Sequence, residues 1–261
     1  MTDLIVRKLR FAFADHHVPF LWNEANPAFS SMANAVSFLA IGFEKMIVSM
    51  IAEAKSQITD PAIAEEAEAF VRQEGQHSMA HRGHARGLIK SYPVLKETLD
   101  EVNAAFDRMT ATKPLAWRLA YTADLEATFT PVFKLMLDHD DTLFAPGDDR
   151  VASLFLWHFV EEVEHRSSAL MIYNHVVGDQ VYRMRMAPAI FRHVLATLRT
   201  ACEGFNSTSR WPNARSTRCR CSVRIGANMH CCNVSRSPRW PTKVRSSTPS
   251  SIYQIARKPP R

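Results

Sequence analysis

Apolar residues recur at helical spacing through the first 200 residues, and no stretch there alternates with period two for long. The pattern predicts six helices. The first, from about Ser31 to Lys55, is apolar on nearly all sides, as suits the centre of a bundle. The second is opened by Thr59-Asp60-Pro61, a capping residue followed by proline at the first helical position, and stops before Tyr92-Pro93. A shorter amphipathic segment, Val94 to Met109, carries Leu95, Leu99, Val102 and Phe106 on one face. Pro114 opens a fourth helix to about Asp138, with a bend expected near Pro131. A fifth follows Asp149 as its cap and ends at Gly178; a sixth spans Gln180 to Thr200 with Pro188 inside it. Residues 1–30 read as an irregular lead-in. The expected fold class is all-α.

Charge divides the chain in two. Residues 202–261 hold 12 Lys/Arg and one acidic residue, a net of +11, whereas residues 1–201 carry a net of −5. All five cysteines (Cys202, Cys219, Cys221, Cys231, Cys232) also lie in the basic segment. The expected organisation is therefore a helical domain over residues 1–200 and a tail over 201–261. The tail's Arg, Ser, Pro and Cys content without periodicity reads as disorder, or as translation from a shifted frame. A basic arm for nucleic acid or anionic lipid is the competing reading. So is a zinc site from Cys219, Cys221, His230, Cys231 and Cys232, although C-x-C and adjacent cysteines fit zinc-ligand spacing poorly. No disulfide framework exists in the first 201 residues, and no signal peptide is visible, so a cytoplasmic setting is expected. Met32 to Ala52 is long and apolar, but Glu44 and Lys45 at its middle favour a buried core helix over a transmembrane span.

The candidate chemistry lies in the helices. In WHFVEEVEHR, His158, Glu162 and His165 are spaced i, i+4 and i+7, so three metal-competent side chains share one helix face. A second E-x-x-H pair, Glu74–His77, stands on the second helix. Each pair is preceded, one helix upstream, by a lone glutamate in an apolar run: Glu44 in SFLAIGFEKMIVSM and Glu126 in WRLAYTADLEATFTPVF. The order Glu, ExxH, Glu, ExxH is that of a dinuclear carboxylate-bridged site in a four-helix bundle. Four carboxylates balance the charge of two divalent cations, and each histidine adds a neutral nitrogen. That donor set suits iron first, then manganese, with zinc also open. Taken alone, each residue has a plainer reading as a snorkelling or satisfied core group; the repeat is what favours metal. Glu161 and Glu164 fall on other faces of their helix and read as solvated or supporting. His81, one turn after His77, is the candidate catalytic or supporting residue. His84, His139, His175, His193 and the His16–His17 pair have no assigned partner and read as structural or exposed.

Residues 26 to 186 resemble a bacterial, ferritin-like family labelled predicted metal-dependent hydrolases. The resemblance rests on Gly42-Phe43-Glu44, VRQEGQHSMAHRGH, YTADLEATFTPVF and LWHFVEEVEHRSSALMIYNHV. It implies a ferritin-like four-helix bundle with additional helices, and hydrolysis. His158, four residues before Glu162, is also similar to the arrangement in the p-aminobenzoate N-oxygenase group of di-iron enzymes, which implies an extra nitrogen ligand. The segment after Thr200 departs from the family's helical pattern. Three functions follow. The preferred one is an oxygen-activating di-iron oxidoreductase acting on an apolar small molecule, with an electron donor as partner. The second is a metal-dependent hydrolase using a metal-activated water. The third is metal storage or scaffolding, disfavoured by so crowded a ligand set. No nucleic-acid partner is expected, and pairing of two chains is left open.

Overall fold

The computed structural model describes residues 4–14 and 16–208. Among them are eight α-helices and no strand: α1 (Pro27–Ala54), α2 (Pro61–Ser91), α3 (Leu95–Thr112), α4 (Leu115–Leu137), α5 (Asp140–Leu143), α6 (Asp149–Glu164), α7 (Ser168–Val176) and α8 (Gln180–Thr208). The all-α expectation holds, and the arrangement is compatible with a ferritin-like bundle. The expected tail lies, from residue 209 onward, outside the described residues.

Local chemistry sets the helix ends. α1 starts four residues earlier than its apolar run suggests, because the Asn26 side chain accepts the Phe29 N–H and Pro27 occupies the first turn. Asp60 caps α2 as expected, accepting from the Ala62 and Ile63 amides. For α6 the cap is Asp148 rather than Asp149; it accepts from Arg150 and Val151, and its own amide donates to the Trp22 carbonyl. Gly178, at φ +68°, adopts the left-handed turn that closes α7.

Larger differences from the sequence reading lie further along the chain. The predicted fifth helix is split between α6 and α7 at His165, Arg166 and Ser167. No proline or glycine marks the break. Ser168 restarts the helix with its amide on the His165 carbonyl and its hydroxyl donating to the buried Glu66 carboxylate at 2.5 Å. α8 runs through Pro188 and continues to Thr208, eight residues past the predicted end.

α1, α2, α4 and the α6–α7 pair enclose the centre, while α3 and α8 pack outside against α1 and α4. By length and composition α1 could cross a membrane, but most of its apolar stretch is buried within this fold. The irregular lead-in packs Phe13, Val18 and Trp22 into the same core. Trp22 stacks on Phe144 and Phe155, tying residues before α1 to α6.

Candidate metal centre

Four glutamates and three histidines meet inside the bundle. Glu44 comes from α1, Glu74 and His77 from α2, Glu126 from α4, and His158, Glu162 and His165 from α6 and its C-cap. All seven are buried. His165 Nε2 lies 3.2 Å from Glu74, 3.4 Å from Glu162 and 3.5 Å from Glu126. His158 Nε2 lies 2.9 Å from Glu162 and 3.4 Å from Glu44. His77 Nδ1 is 3.6 Å from Glu162. The structure thus brings together all seven residues singled out from spacing. A helix carrying glutamate at i and histidine at i+3 directs both inward, and the break after His165 leaves that face intact because His165 N–H still bonds the Glu161 carbonyl.

These contacts leave the inward-facing atoms under-satisfied. Glu44 Oε2, both Glu74 oxygens, Glu126 Oε2, His77 Nδ1 and His165 Nε2 are buried without a hydrogen-bond partner among the described residues. Orphaned polar atoms in a protein interior are rare, and so many converging on one point fit a cation. Ligand atoms lie within 4.8 Å of one another in the groups Glu44–Glu74–His77, His77–His158–Glu162, Glu74–Glu162–His165 and Glu44–His81–His158, each able to hold a metal ion.

Electrostatics points the same way. Burial, then the neighbouring Glu74, raises Glu44 well above the usual carboxylate range; burial and Glu162 do the same to Glu74. Glu126 is pushed up to about 8 by burial and by Glu162. Burial opposes ionisation of Glu162 too, but His165 and His158 outweigh it, and its carboxyl falls well below the ordinary range. His165 is raised: burial resists its charge, and Glu162 and Glu126 overcome that. His77 is lowered to about 4 by burial and by His158, so it is a neutral nitrogen donor near neutrality. Without cations the cluster must hold protons that cations would displace.

The model of a family described as predicted metal-dependent hydrolases matches residues 5–239. The chain belongs to that family. The family description implies metal dependence, and the buried Glu/His cluster could hold metal ions. The match runs past Thr200, beyond the region where motif resemblance ends, so the tail's departure from the family pattern is not complete. No curated protein and no solved structure gives a significant match.

The cluster's histidines are held from behind, by Glu161, Glu164 and His81, which read as possible supporting residues, and by Arg7, Gln73 and Ser37, which spacing did not assign. Glu161 is fully buried and accepts from His77 Nε2 at 3.0 Å and from Arg7 at 2.9 Å. Burial resists its ionisation, but His77 and Arg7 hold its carboxyl below the usual range. Gln73 Oε1 receives His165 Nδ1 at 3.0 Å, and its amide contacts Glu164 at 3.4 Å. Glu164 in turn grips Arg7 at 2.6 and 2.8 Å. His158 Nδ1 meets His81 Nε2 at 2.8 Å, and His81 Nδ1 meets Ser37 Oγ at 2.9 Å. Both ring nitrogens of His81 are therefore engaged. His84, which read as structural or exposed, is buried and shares the Ser37 hydroxyl at 2.9 Å. His175 bonds the Thr59 amide at 3.0 Å, and His193 bonds the Tyr121 hydroxyl at 3.0 Å, both away from the centre. Aromatic rings wall the cluster: Phe70 against His165, Trp157 against His77, and Phe133 stacked on Phe159 beside His158.

Proposed function

We propose that the chain is a hydrolase whose centre holds two divalent metal ions, with Glu44, Glu74, His77, Glu126, His158, Glu162 and His165 as ligands. One observation carries the reading. In a member of a family described as predicted metal-dependent hydrolases, four carboxylates and three imidazoles converge in the core, and five of the seven have buried atoms without a hydrogen-bond partner among the described residues. Glu44, Glu74 and Glu162 each belong to two of these overlapping groups of ligand atoms, so the same carboxylates would serve neighbouring ions. Four negative charges balance two divalent cations, and the mixed carboxylate and imidazole set suits iron or manganese, with zinc as a further candidate. When bound, such ions polarise a scissile carbonyl or phosphoryl group and lower the pKa of a water.

The chain's own residues do the rest. Glu161 and Gln73 orient His77 and His165, and the Phe133, Phe159 and Trp157 rings exclude bulk water. His81 is assigned to orienting His158 rather than to proton transfer, because neither of its nitrogens is free to face a substrate. The substrate is a small molecule carrying an ester, amide or phosphoester bond.

The family description favours this reading over the oxidative one preferred on sequence grounds. The di-iron oxidoreductase stays as second reading on one specific observation, the third histidine His158 within a closed aromatic wall. It requires an external electron donor. Loading with Mn²⁺, Zn²⁺ or Fe²⁺, followed by anaerobic assay on a panel of carboxylic esters, amides and phosphoesters, separates the two. The expected result is metal-dependent turnover without O₂ or reductant. Turnover only with iron, O₂ and a reductant would overturn the hydrolase reading in favour of the second.

A further inference from the structure

We propose that Ser37 is a positioning residue of the metal centre: its hydroxyl oxygen fixes the tautomer of His81, which in turn fixes the tautomer and ring plane of His158. The inference rests on the reading of His158 as a metal ligand. Four buried side chains form an unbroken line outward from Glu162. His158 Nε2 faces Glu162, His158 Nδ1 faces His81 Nε2, His81 Nδ1 faces Ser37 Oγ, and Ser37 Oγ faces His84 Nδ1. The three outer contacts are 2.8, 2.9 and 2.9 Å.

A neutral imidazole carries one N–H, and this makes the line directional. For His158 to present the Nε2 lone pair to a cation, its proton must sit on Nδ1 and be donated to His81 Nε2. His81 Nε2 then accepts, so the His81 proton sits on Nδ1 and is donated to Ser37 Oγ. The Ser37 hydrogen is left to donate to His84 Nδ1. Removing the Ser37 oxygen leaves the His81 Nδ1–H as a buried donor without an acceptor. The other His81 tautomer removes that unpaired N–H, leaving only a lone pair there, but places N–H against His158 Nδ1, which drives the His158 proton onto the nitrogen a metal needs. Swinging the rings away is obstructed, because Phe155 packs on both His81 and His84 and Phe13 packs on His84. Ser37 stands two helical turns before Glu44 on α1, so one helix supplies both a ligand and the anchor for a ligand from α6.

The test uses the full chain with zinc as probe, comparing wild type, Ser37→Ala and Ser37→Thr. Zinc affinity is measured by competition with a chromophoric chelator, and histidine tautomers in the zinc-loaded protein by ¹⁵N–¹H correlation on ¹⁵N-histidine-labelled material. Wild type should show the Nδ1–H form at His158 and His81. Ser37→Ala should lose about tenfold to hundredfold in affinity and mix the His81 tautomers, while still folding cooperatively without zinc. Ser37→Thr, which keeps the oxygen, should restore both. Unchanged affinity and tautomers in Ser37→Ala would overturn the proposal. So would a loss of affinity that merely follows loss of zinc-free folding. Failure of wild type to bind zinc, iron or manganese would instead overturn the metal-centre reading on which it rests.

Discussion

At the residue scale the centre is a balance between burial and charge. Glu126 is held near 8 instead of its ordinary 4.5, so the metal-free fold resists its ionisation. A folded-state pKa above the unfolded value means the folded state binds more protons in that window. Stability of the metal-free protein should therefore fall as pH rises from about 4.5 through about 8. Loading should reverse the trend, since cations supply the missing counter-charge and expel those protons. Denaturant midpoints at about pH 5 and about pH 8.5, with chelator and with Mn²⁺, check both signs; a metal-free midpoint that rises across the window would contradict this account. Glu161 gives a second prediction at this scale. Glu161→Gln keeps the shape but replaces an ionised acceptor of His77 by a neutral amide, and metal affinity should drop by about tenfold to hundredfold in a chelator competition. The seven converging residues were legible because glutamate and histidine at helical spacing, inside apolar runs, have few other uses. Glu161 was not. Its helix angle says only that it points elsewhere, and what lies there is set by Arg7 from 154 residues away.

Among elements, the lead-in matters more than its lack of periodicity suggests. Arg7 contacts both Glu161 and Glu164, one reaching His77 directly and the other reaching His165 through Gln73. Exchange of Arg7 for Met should weaken metal binding by about tenfold to hundredfold, whereas the same exchange at the exposed Lys8 should leave it unchanged; equal effects at both positions would remove Arg7 from the centre's support. α1 depends on close approach. A methyl group on Gly42 would stand 2.5 Å from the Phe106 ring, which is fixed by Phe43, Tyr121 and His193. Gly42→Ala should therefore destabilise the fold by about 1–3 kcal/mol despite the better helix propensity of alanine, measured by urea unfolding of metal-free protein. Helix identity was readable from hydrophobic spacing because each helix has a face to bury. The break at His165–Ser167 was not readable, because it is made by the tertiary contact of Ser168 with Glu66 rather than by any local breaker.

Over the whole molecule, the bundle is a shell around a cluster whose burial is costly unless protons or cations neutralise it. Four helices with apolar faces would pack without Glu44, Glu74, Glu126 and Glu162, and burying those carboxylates opposes folding unless they are protonated or metal-bound. Family membership implies metal dependence, and the buried Glu/His cluster could hold the ions. Elemental analysis of the full chain after loading and desalting tests this most directly, set beside a variant with Glu74→Ala and Glu162→Ala together. The account predicts about two metal ions per chain in wild type and near-complete loss in the double variant with the helical circular dichroism retained. A wild-type chain that holds no metal, or a double variant that holds as much as wild type, would contradict it.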